Sequence, residues 1–315
     1  MKLLQIPEIA WMLYTVAGLL TVSSIIGGAL RLAVKSESAR ATVANLNART
    51  RAWWVMCAIF ALAMITGRIG SVILFSLTSF LALREYVTLT PTRRGDHRSL
   101  FWVFFVILPV QYYLLYIKWY GMFSIFIPVY AFLFIPARIA LRGDCERFLE
   151  RTSEIQWGLM VCVYFVSHAP ALLLLDVKGY PDKNPVLLLF LVMVVQVSDV
   201  FQYVWGKTLG RRKIAPNVSP NKTVVGTVGG ILTASAIGTG LWWATPFRPE
   251  EAAGVSLLIC IMGFLGGLVM SAVKRDRGVK DYGSLIAGHG GMMDRIDSLC
   301  FAAPVFFHFV RYYHT

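Results

Sequence analysis

Ten apolar runs separated by charged gaps govern what this chain can fold into. They cover residues 9–30, 52–66, 69–87, 100–117, 121–141, 155–175, 185–205, 224–244, 254–273 and 298–313. About 20 apolar residues in a helix cross the hydrocarbon core of a bilayer, and runs of that length recur through the whole chain. The expected fold is therefore all-α, a polytopic integral membrane protein with nine or ten transmembrane helices. The runs 52–66 and 298–313 are short, so nine full spans and a partial one fit equally well. Composition agrees: 57% of residues are apolar and the mean hydropathy is +0.63, far from a soluble domain. The longest polar gap is about 24 residues, too short for a soluble module. The first run lacks a basic leader and a small-residue cleavage site, and reads as a retained helix. Pro and Gly gather at run ends, at Pro91, Gly143, 179–185, 216–220 and 246–249, as turn punctuation. No strict internal repeat is visible.

The formal charge is +13, and 23 of the 30 Lys and Arg fall in five gaps: 31–51, 84–99, 138–154, 206–222 and 274–297. A hairpin turning near Gly67-Arg68-Ile69-Gly70 puts all five gaps on one side. The positive-inside rule then makes that side cytoplasmic and the N-terminus external. The expected setting is a bacterial inner membrane, with the basic balance reading as topology and attraction to anionic lipid. Nucleic-acid binding is disfavoured, because no soluble basic domain is present to carry it. The five cysteines, Cys57, Cys145, Cys162, Cys260 and Cys300, show no metal-ligand or disulfide spacing.

Two segments depart from plain topogenic charge. Residues 271–297 hold five Lys/Arg, four Asp, one His and a Gly-His-Gly-Gly turn between two apolar runs. Cations able to hold phosphate alternate there with carboxylates able to hold a metal. Gly267, Ser271 and Lys274 share a helix face, and Lys274 and Arg275 sit where the helix leaves the bilayer. Snorkelling alone would place them there equally well. Asp294 and Asp297, spaced i, i+3 at a helix start, face the same way. That spacing suits either the helix dipole or half of a Mg2+ site. His289 stands without a partner at ligand spacing and reads as shaping the turn or touching substrate, and Gly290 and Gly291 allow close approach of a ligand to the backbone. Upstream, Asp199 is the one acidic residue in the run 185–205, with Gln196, Ser198 and Gln202 beside it and Lys207 just beyond. An intramembrane carboxylate is costly and faces a cavity or partner. In Ser219-Pro220-Asn221-Lys222-Thr223, Ser or Asn is placed to cap the next helix. The free amides of that helix and Lys222 favour an anion.

The pattern S-x-x-K-R-x4-K-D followed by H-G-G-x-x-D-R-x-D, from Ser271 to Asp297, resembles the signature of the phosphatidate cytidylyltransferase (CDP-diacylglycerol synthase) family. Ser198-Asp199 with Gly206-Lys207, then Ser219 to Thr223 and Gly226, form a second matching block. Together they span about the last third of the chain, dividing it into 1–180, without signature, and 181–315, carrying it. The resemblance implies CTP and phosphatidic acid as substrates in phospholipid biosynthesis, and CDP-diacylglycerol and pyrophosphate as products. It implies Mg2+ as cofactor, with a second, monovalent cation as an option. It further implies catalytic roles for Asp199, Lys222, Lys274, Arg275, Lys280, Asp281, His289 and Arg295. Substrate contacts fall to Lys207, Ser219, Asn221, Thr223, Ser271, Gly290 and Gly291, and metal ligation to Asp294, Asp297, Asp281 and Asp199. A homodimer is compatible with this reading.

Three positions depart from the family pattern. Gly267 stands where the family usually has Asp, Val225 where it has Glu, and Ala287 where it has Pro, Gly or Ser. The first two remove carboxylates from the expected metal region, so weak activity is expected. The competing readings are a catalytically weakened homologue that binds lipid or nucleotide, and a transporter using Asp199. Transport would be supported by an inverted repeat of broken helices, and none is found.

Overall fold

The computed structural model describes residues 6–34, 36–285 and 290–315. Ten long helices make up most of it: α1 Pro7–Ala33, α2 Glu37–Ile65, α3 Gly67–Thr88, α4 His97–Tyr116, α5 Tyr120–Ala140, α6 Phe148–Leu174, α7 Asn184–Thr208, α8 Val224–Gly240, α9 Pro249–Asp276 and α10 Met293–His314. Among the described residues, α1 to α7 and α9 are long and apolar enough to cross a membrane, and α8 is a shorter apolar helix of 17 residues. The expected all-α polytopic architecture holds. One small antiparallel hairpin, β1 Lys213–Ala215 with β2 Ser219–Thr223, interrupts it, with Lys213 opposite Thr223 and Ala215 opposite Ser219.

The gap 31–51 is not a loop. α2 begins at Glu37, so its first fifteen residues, rich in Ala, Arg and Asn, are helical. Hydropathy does not mark them because they are polar, yet Ala and Arg are strong helix formers. The α1–α2 hairpin is stitched there by the Asn47 side chain, which donates to the Gly27 carbonyl at 3.1 Å. The expected turn between the second and third runs falls at Thr66–Gly67, where Gly67 adopts φ 74°, a conformation that only Gly takes without strain.

α6 is the most enclosed span, and α1 and α2 are the least. The core lies where α3, α6, α7, α9 and α10 meet, with Leu83, Cys162, Val163, Leu187, Phe190, Met293 and Phe306 all buried. Several polar groups within this interior pair with one another or with backbone, as a water-free medium favours. The Tyr112 hydroxyl lies 2.7 Å from that of Ser79, and Gln111 donates to Phe123 O at 3.2 Å. α4, α5 and α6 each contain one π-helical stretch: Val103–Ile107, Phe126–Ala131 and Met160–Phe165. Pro109 and Pro128, beside the first stretch and within the second, lack the N–H that a regular helix needs. All five cysteines are free.

Ion pairs and a hydrogen bond gather four of the basic gaps at one end of the bundle. Arg151, which is 3% exposed, reaches Asp144 at 2.9 Å and Asp96 at 3.8 Å, joining the α3–α4 and α5–α6 connections. Glu154 pairs with Arg277, which tethers that assembly to the segment after α9. Arg275 donates to Val218 O at 3.3 Å, which brings in the hairpin before α8. The opposite end carries Glu8 paired with Lys183 at 2.6 Å, with Asp176 exposed nearby on the α6–α7 connection.

This two-ended distribution of charge generates a labelling experiment. In a cysteine-free background, Asp176→Cys is expected to react with an impermeant thiol reagent added outside cells, and Asn217→Cys is expected to resist it until the membrane is opened. The reverse pattern would invert the orientation.

Candidate active site

The site at the clustered end is built by four helix termini, the ends of α7 and α9 and the starts of α8 and α10. α7 and α8 approach closely there because glycines face each other. A Cβ on Gly226 would lie 2.8 Å from Gly206 Cα, and one on Gly230 would lie 2.7 Å from Gln202 Cα. Thr223 caps α8, its hydroxyl accepting from the Gly226 amide at 3.1 Å. The cap is therefore Thr223 rather than Ser219 or Asn221, which belong to β2. Thr223 is buried against the helix it caps, Ser219 is half-buried and Asn221 is exposed.

Asp294 organises the signature loop. Its Oδ1 accepts from Lys274 Nζ at 2.8 Å, and its Oδ2 accepts from the amides of Tyr282 and Gly291 at 2.8 and 2.9 Å. Asp294 and Lys274 are buried, at 8% and 9% exposure. A buried pair survives only with good geometry and satisfied lone pairs, and both are present. The ammonium of Lys274 also lies 5.4 Å from the Tyr282 ring centroid, while the Tyr282 hydroxyl donates to Met270 O on α9 at 3.0 Å. Gly290 takes φ 80°, and a Cβ there would come within 2.9 Å of Asp294 Oδ2. The turn thus requires glycine at that position.

Asp199 and Asp297 differ from Asp294. Both keep partial solvent exposure in a largely desolvated setting. Asp297 accepts from the Ser298 amide at 2.8 Å and feels the charges of Lys274, Lys222 and Arg295. Asp199 lies within electrostatic reach of Asp297, Lys222 and Arg295, and of the Ser298 hydroxyl. Among the described residues, Arg295 Nε is buried without a hydrogen-bond partner. Lys222 extends from β2 to within 4.9 Å of the Phe264 ring centroid on α9, a cation–π contact. Burial pushes its ammonium below the ordinary lysine range, and the carboxylates of Asp199 and Asp297 oppose that push.

The two glycines preceding the signature Ser play different parts. A Cβ on Gly266 would lie 2.6 Å from Asp297 O, so Gly266 is the contact point of α9 with α10. At Gly267 a Cβ would meet Lys222 Nζ at 3.1 Å and Ser298 Oγ at 3.3 Å, both flexible side-chain ends. The position usually held by Asp therefore faces the charge cluster, and a side chain there fits only if those two ends shift by a few tenths of an ångström. Val225, the other departure, is 41% exposed at the start of α8.

The remaining sequence candidates sit around this centre. Ser271 turns its hydroxyl back to Gly267 O at 2.7 Å. Arg275 spends its donors on Val218 O and Val279 O, binding the two signature blocks together. Lys280, Asp281 and Lys207 are exposed, and the backbone of Gly291 serves as a donor to Asp294. His289 and the departure at Ala287 lie outside the described residues. Sequence reading missed Ser298, Tyr282, Glu154 and Glu85. Glu85, on α3, is 5% exposed and accepts from the amides of Met292 and Met293, both at 2.9 Å. The rule that drew attention to Asp199, a carboxylate at an apolar run, would have found it.

Among the described residues no three His, Cys, Asp or Glu side chains come together as a ready-made metal site. Mg2+ does not need one, since it is commonly held by one or two carboxylates together with substrate phosphates. Asp199 and Asp297 fit that description. A cavity of about 380 Å3 lined by Leu115, Phe123, Phe307 and Arg311 contains none of these residues and lies towards the other end of α10.

Known proteins match this chain along most of its length. The sequence profile of the Cytidylyltransferase family covers residues 47–313. An uncharacterized protein of Escherichia coli (strain K12), YnbB, is 42% identical over 271 residues, 85% of this chain and 88% of that protein. The phosphatidate cytidylyltransferase of Synechocystis sp. is 40% identical over 137 residues, and that of Bacillus subtilis 36% over 132. These matches cover 42% and 41% of this chain, and 46% and 49% of those enzymes. The similarity thus spans about half the length of the two named enzymes.

The contrast between the two carboxylates of α10 has a direct test. Asp294→Asn leaves Lys274 buried without its counter-charge, and is expected to cost about 3–5 kcal/mol, read as a lower unfolding midpoint in detergent. Asp297→Asn removes a half-buried charge that no structural amide outside its own turn depends on, and is expected to leave the midpoint close to the parent.

Proposed function

The chain belongs to the cytidylyltransferase family, and we propose that it joins CTP to phosphatidic acid, giving CDP-diacylglycerol and pyrophosphate in phospholipid biosynthesis. The observation that carries this reading is the half-buried Asp199–Asp297 pair interleaved with Lys222 and Arg295 at one end of the bundle. One substrate is an amphiphile and the other is water-soluble, so a site at a helix terminus suits both.

In this reaction an oxygen of the lipid phosphate forms a bond to the α-phosphorus of CTP. The bond from that phosphorus to the bridging oxygen breaks, and pyrophosphate leaves with the electron pair. No protein nucleophile is needed, and positioning with charge stabilisation supplies the catalysis. Lys222 and Arg295 hold the phosphates near the carboxylate pair. Lys274, fixed by Asp294, adds a positive charge from α9. Lys280 and Lys207, exposed at the rim, attract both anions. Asp199 and Asp297 would hold Mg2+, which when bound neutralises phosphate oxygens as a Lewis acid. The protein's own charges support this need. Lys222, Lys274 and Arg295 are matched in number by Asp199, Asp294 and Asp297, so at the innermost positions no net positive charge is left over for two phosphate-bearing substrates.

Purified protein in liposomes containing phosphatidic acid, supplied with CTP and Mg2+, is expected to release pyrophosphate and form CDP-diacylglycerol. Chelation of the divalent cation is expected to abolish both products, and Asp199→Asn or Asp297→Asn to lower turnover at least a hundredfold. Release of neither product from folded, lipid-reconstituted protein would sink the proposal.

Gly267 favours a second reading within the same function, a weakened enzyme. Glycine at this position, beside Lys222 Nζ, leaves the site one hard oxygen donor short of the family pattern. Gly267→Asp is expected to fold, to raise turnover and to lower the Mg2+ concentration needed. Full activity in the parent, or a folded variant with no gain, would show that this carboxylate is not limiting.

A further inference from the structure

The proposed chemistry uses residues from the last third of the chain, yet the helix that carries Asp294, Arg295 and Asp297 is not anchored by that third alone. The first amides of any helix lack intrahelical acceptors. α10 is preceded by Met292, whose side chain cannot cap it. The acceptor comes instead from α3. Glu85 Oε1 takes the Met292 amide and Oε2 the Met293 amide, each at 2.9 Å. A carboxylate at this place also matches the positive end of the helix dipole.

The surrounding loop is shaped to admit that carboxylate. A Cβ on Gly283 would lie 2.9 Å from Glu85 Oε1, and one on Gly291 would lie 2.7 Å from Glu85 Cδ. Neither glycine has a positive φ, so backbone conformation does not explain them, whereas the presence of Glu85 does. Met292 and Met293 directly precede Asp294, and Asp297 follows one turn on. Whatever fixes those two amides fixes the depth and rotation of the carboxylates that face Lys274 and Asp199.

We propose that Glu85 is a positioning residue for the Asp294–Asp297 turn, supplied by the part of the chain that carries none of the signature. The half-bundle before residue 181 is then a component of the active site's frame as well as a membrane anchor. The link to catalysis rests on the cytidylyltransferase reading, while the positioning itself does not.

The experiment therefore has two independent readouts. Glu85→Gln keeps the shape of the side chain but turns one acceptor into an amide donor facing an N–H. In the full-length protein in detergent, hydrogen exchange of the peptide covering 290–297 is expected to accelerate about tenfold or more, the loss of one charge-assisted hydrogen bond. Peptides of α7 and α8 should keep their parental rates. If the parent makes CDP-diacylglycerol, turnover of Glu85→Gln should fall at least tenfold, and added Mg2+ or CTP should not restore it. Unchanged exchange at 290–297 overturns the proposal, and so does parental turnover alongside accelerated exchange. A parent without turnover sinks the functional reading alone and leaves exchange to decide the positioning role.

A second pair of variants guards against simple misfolding. Gly291→Ala is expected to loosen the 290–297 segment because its methyl group meets Glu85. Shortening the partner, in the double variant Glu85→Asp with Gly291→Ala, is expected to bring exchange back towards the parent by at least threefold relative to Gly291→Ala. Equal exchange in Gly291→Ala and parent, or no recovery in the double variant, counts against Glu85 as the group that sets this turn.

Discussion

The carboxylate of Asp294 takes the Lys274 ammonium on one oxygen and the Tyr282 and Gly291 amides on the other. That single group ties the end of α9, the loop that follows it and the start of α10 into one unit. The remaining features of the clustered end are arranged around it. Tyr282 is held over Lys274 and bonded to Met270 O, Gly290 turns with positive φ to clear the oxygen, and Asp297 is presented one turn further along. A charge so enclosed would be a liability if any of its three partners were missing. Here their presence turns it into the fixed point from which the open carboxylates are hung.

Burial divides three similar residues into two kinds. Asp294 is enclosed and saturated, so its part is architectural. Asp199 and Asp297 remain partly exposed and keep unused lone pairs. They come from helices distant in sequence, and Lys222 reaches in from the β-hairpin to stand near both. Arg275 then binds the hairpin tip to the loop after α9, so the two signature blocks move as one body. The arrangement suits a reaction in which the protein does little covalent work and the placing of charge decides the rate.

Much of this was legible in the sequence where the signal was local. Apolar runs marked the helices, Gly-His-Gly-Gly marked a turn that Gly290 makes, and Asp199 stood out against its surroundings. The signature spacing brought Lys274, Asp294, Arg295 and Asp297 to one place. Other features left no local sign of the role they take. The first half of α2 is polar, so hydropathy passed over a helix whose support includes propensity and the bond from Asn47 to Gly27. The i, i+3 spacing of Asp294 and Asp297 implied equivalent roles, and only three-dimensional burial separates them. Ser219 and Asn221 were as good capping candidates as Thr223 until the hairpin placed them. Glu85 and Glu154 act on partners more than a hundred residues away, and no periodicity within either segment encodes such a partner.

The separation between Glu85 and the amides it receives is 207 residues. At a synthesis rate of about 5–20 residues per second, that distance corresponds to roughly 10–40 s. For that interval α3 exists without α10, and its carboxylate lacks the two amides that it accepts in the finished bundle. α10 follows the other nine helices in the sequence. Its arrival is thus the event that lets Glu85 settle into the bundle, and closure of the charged end has to wait for it.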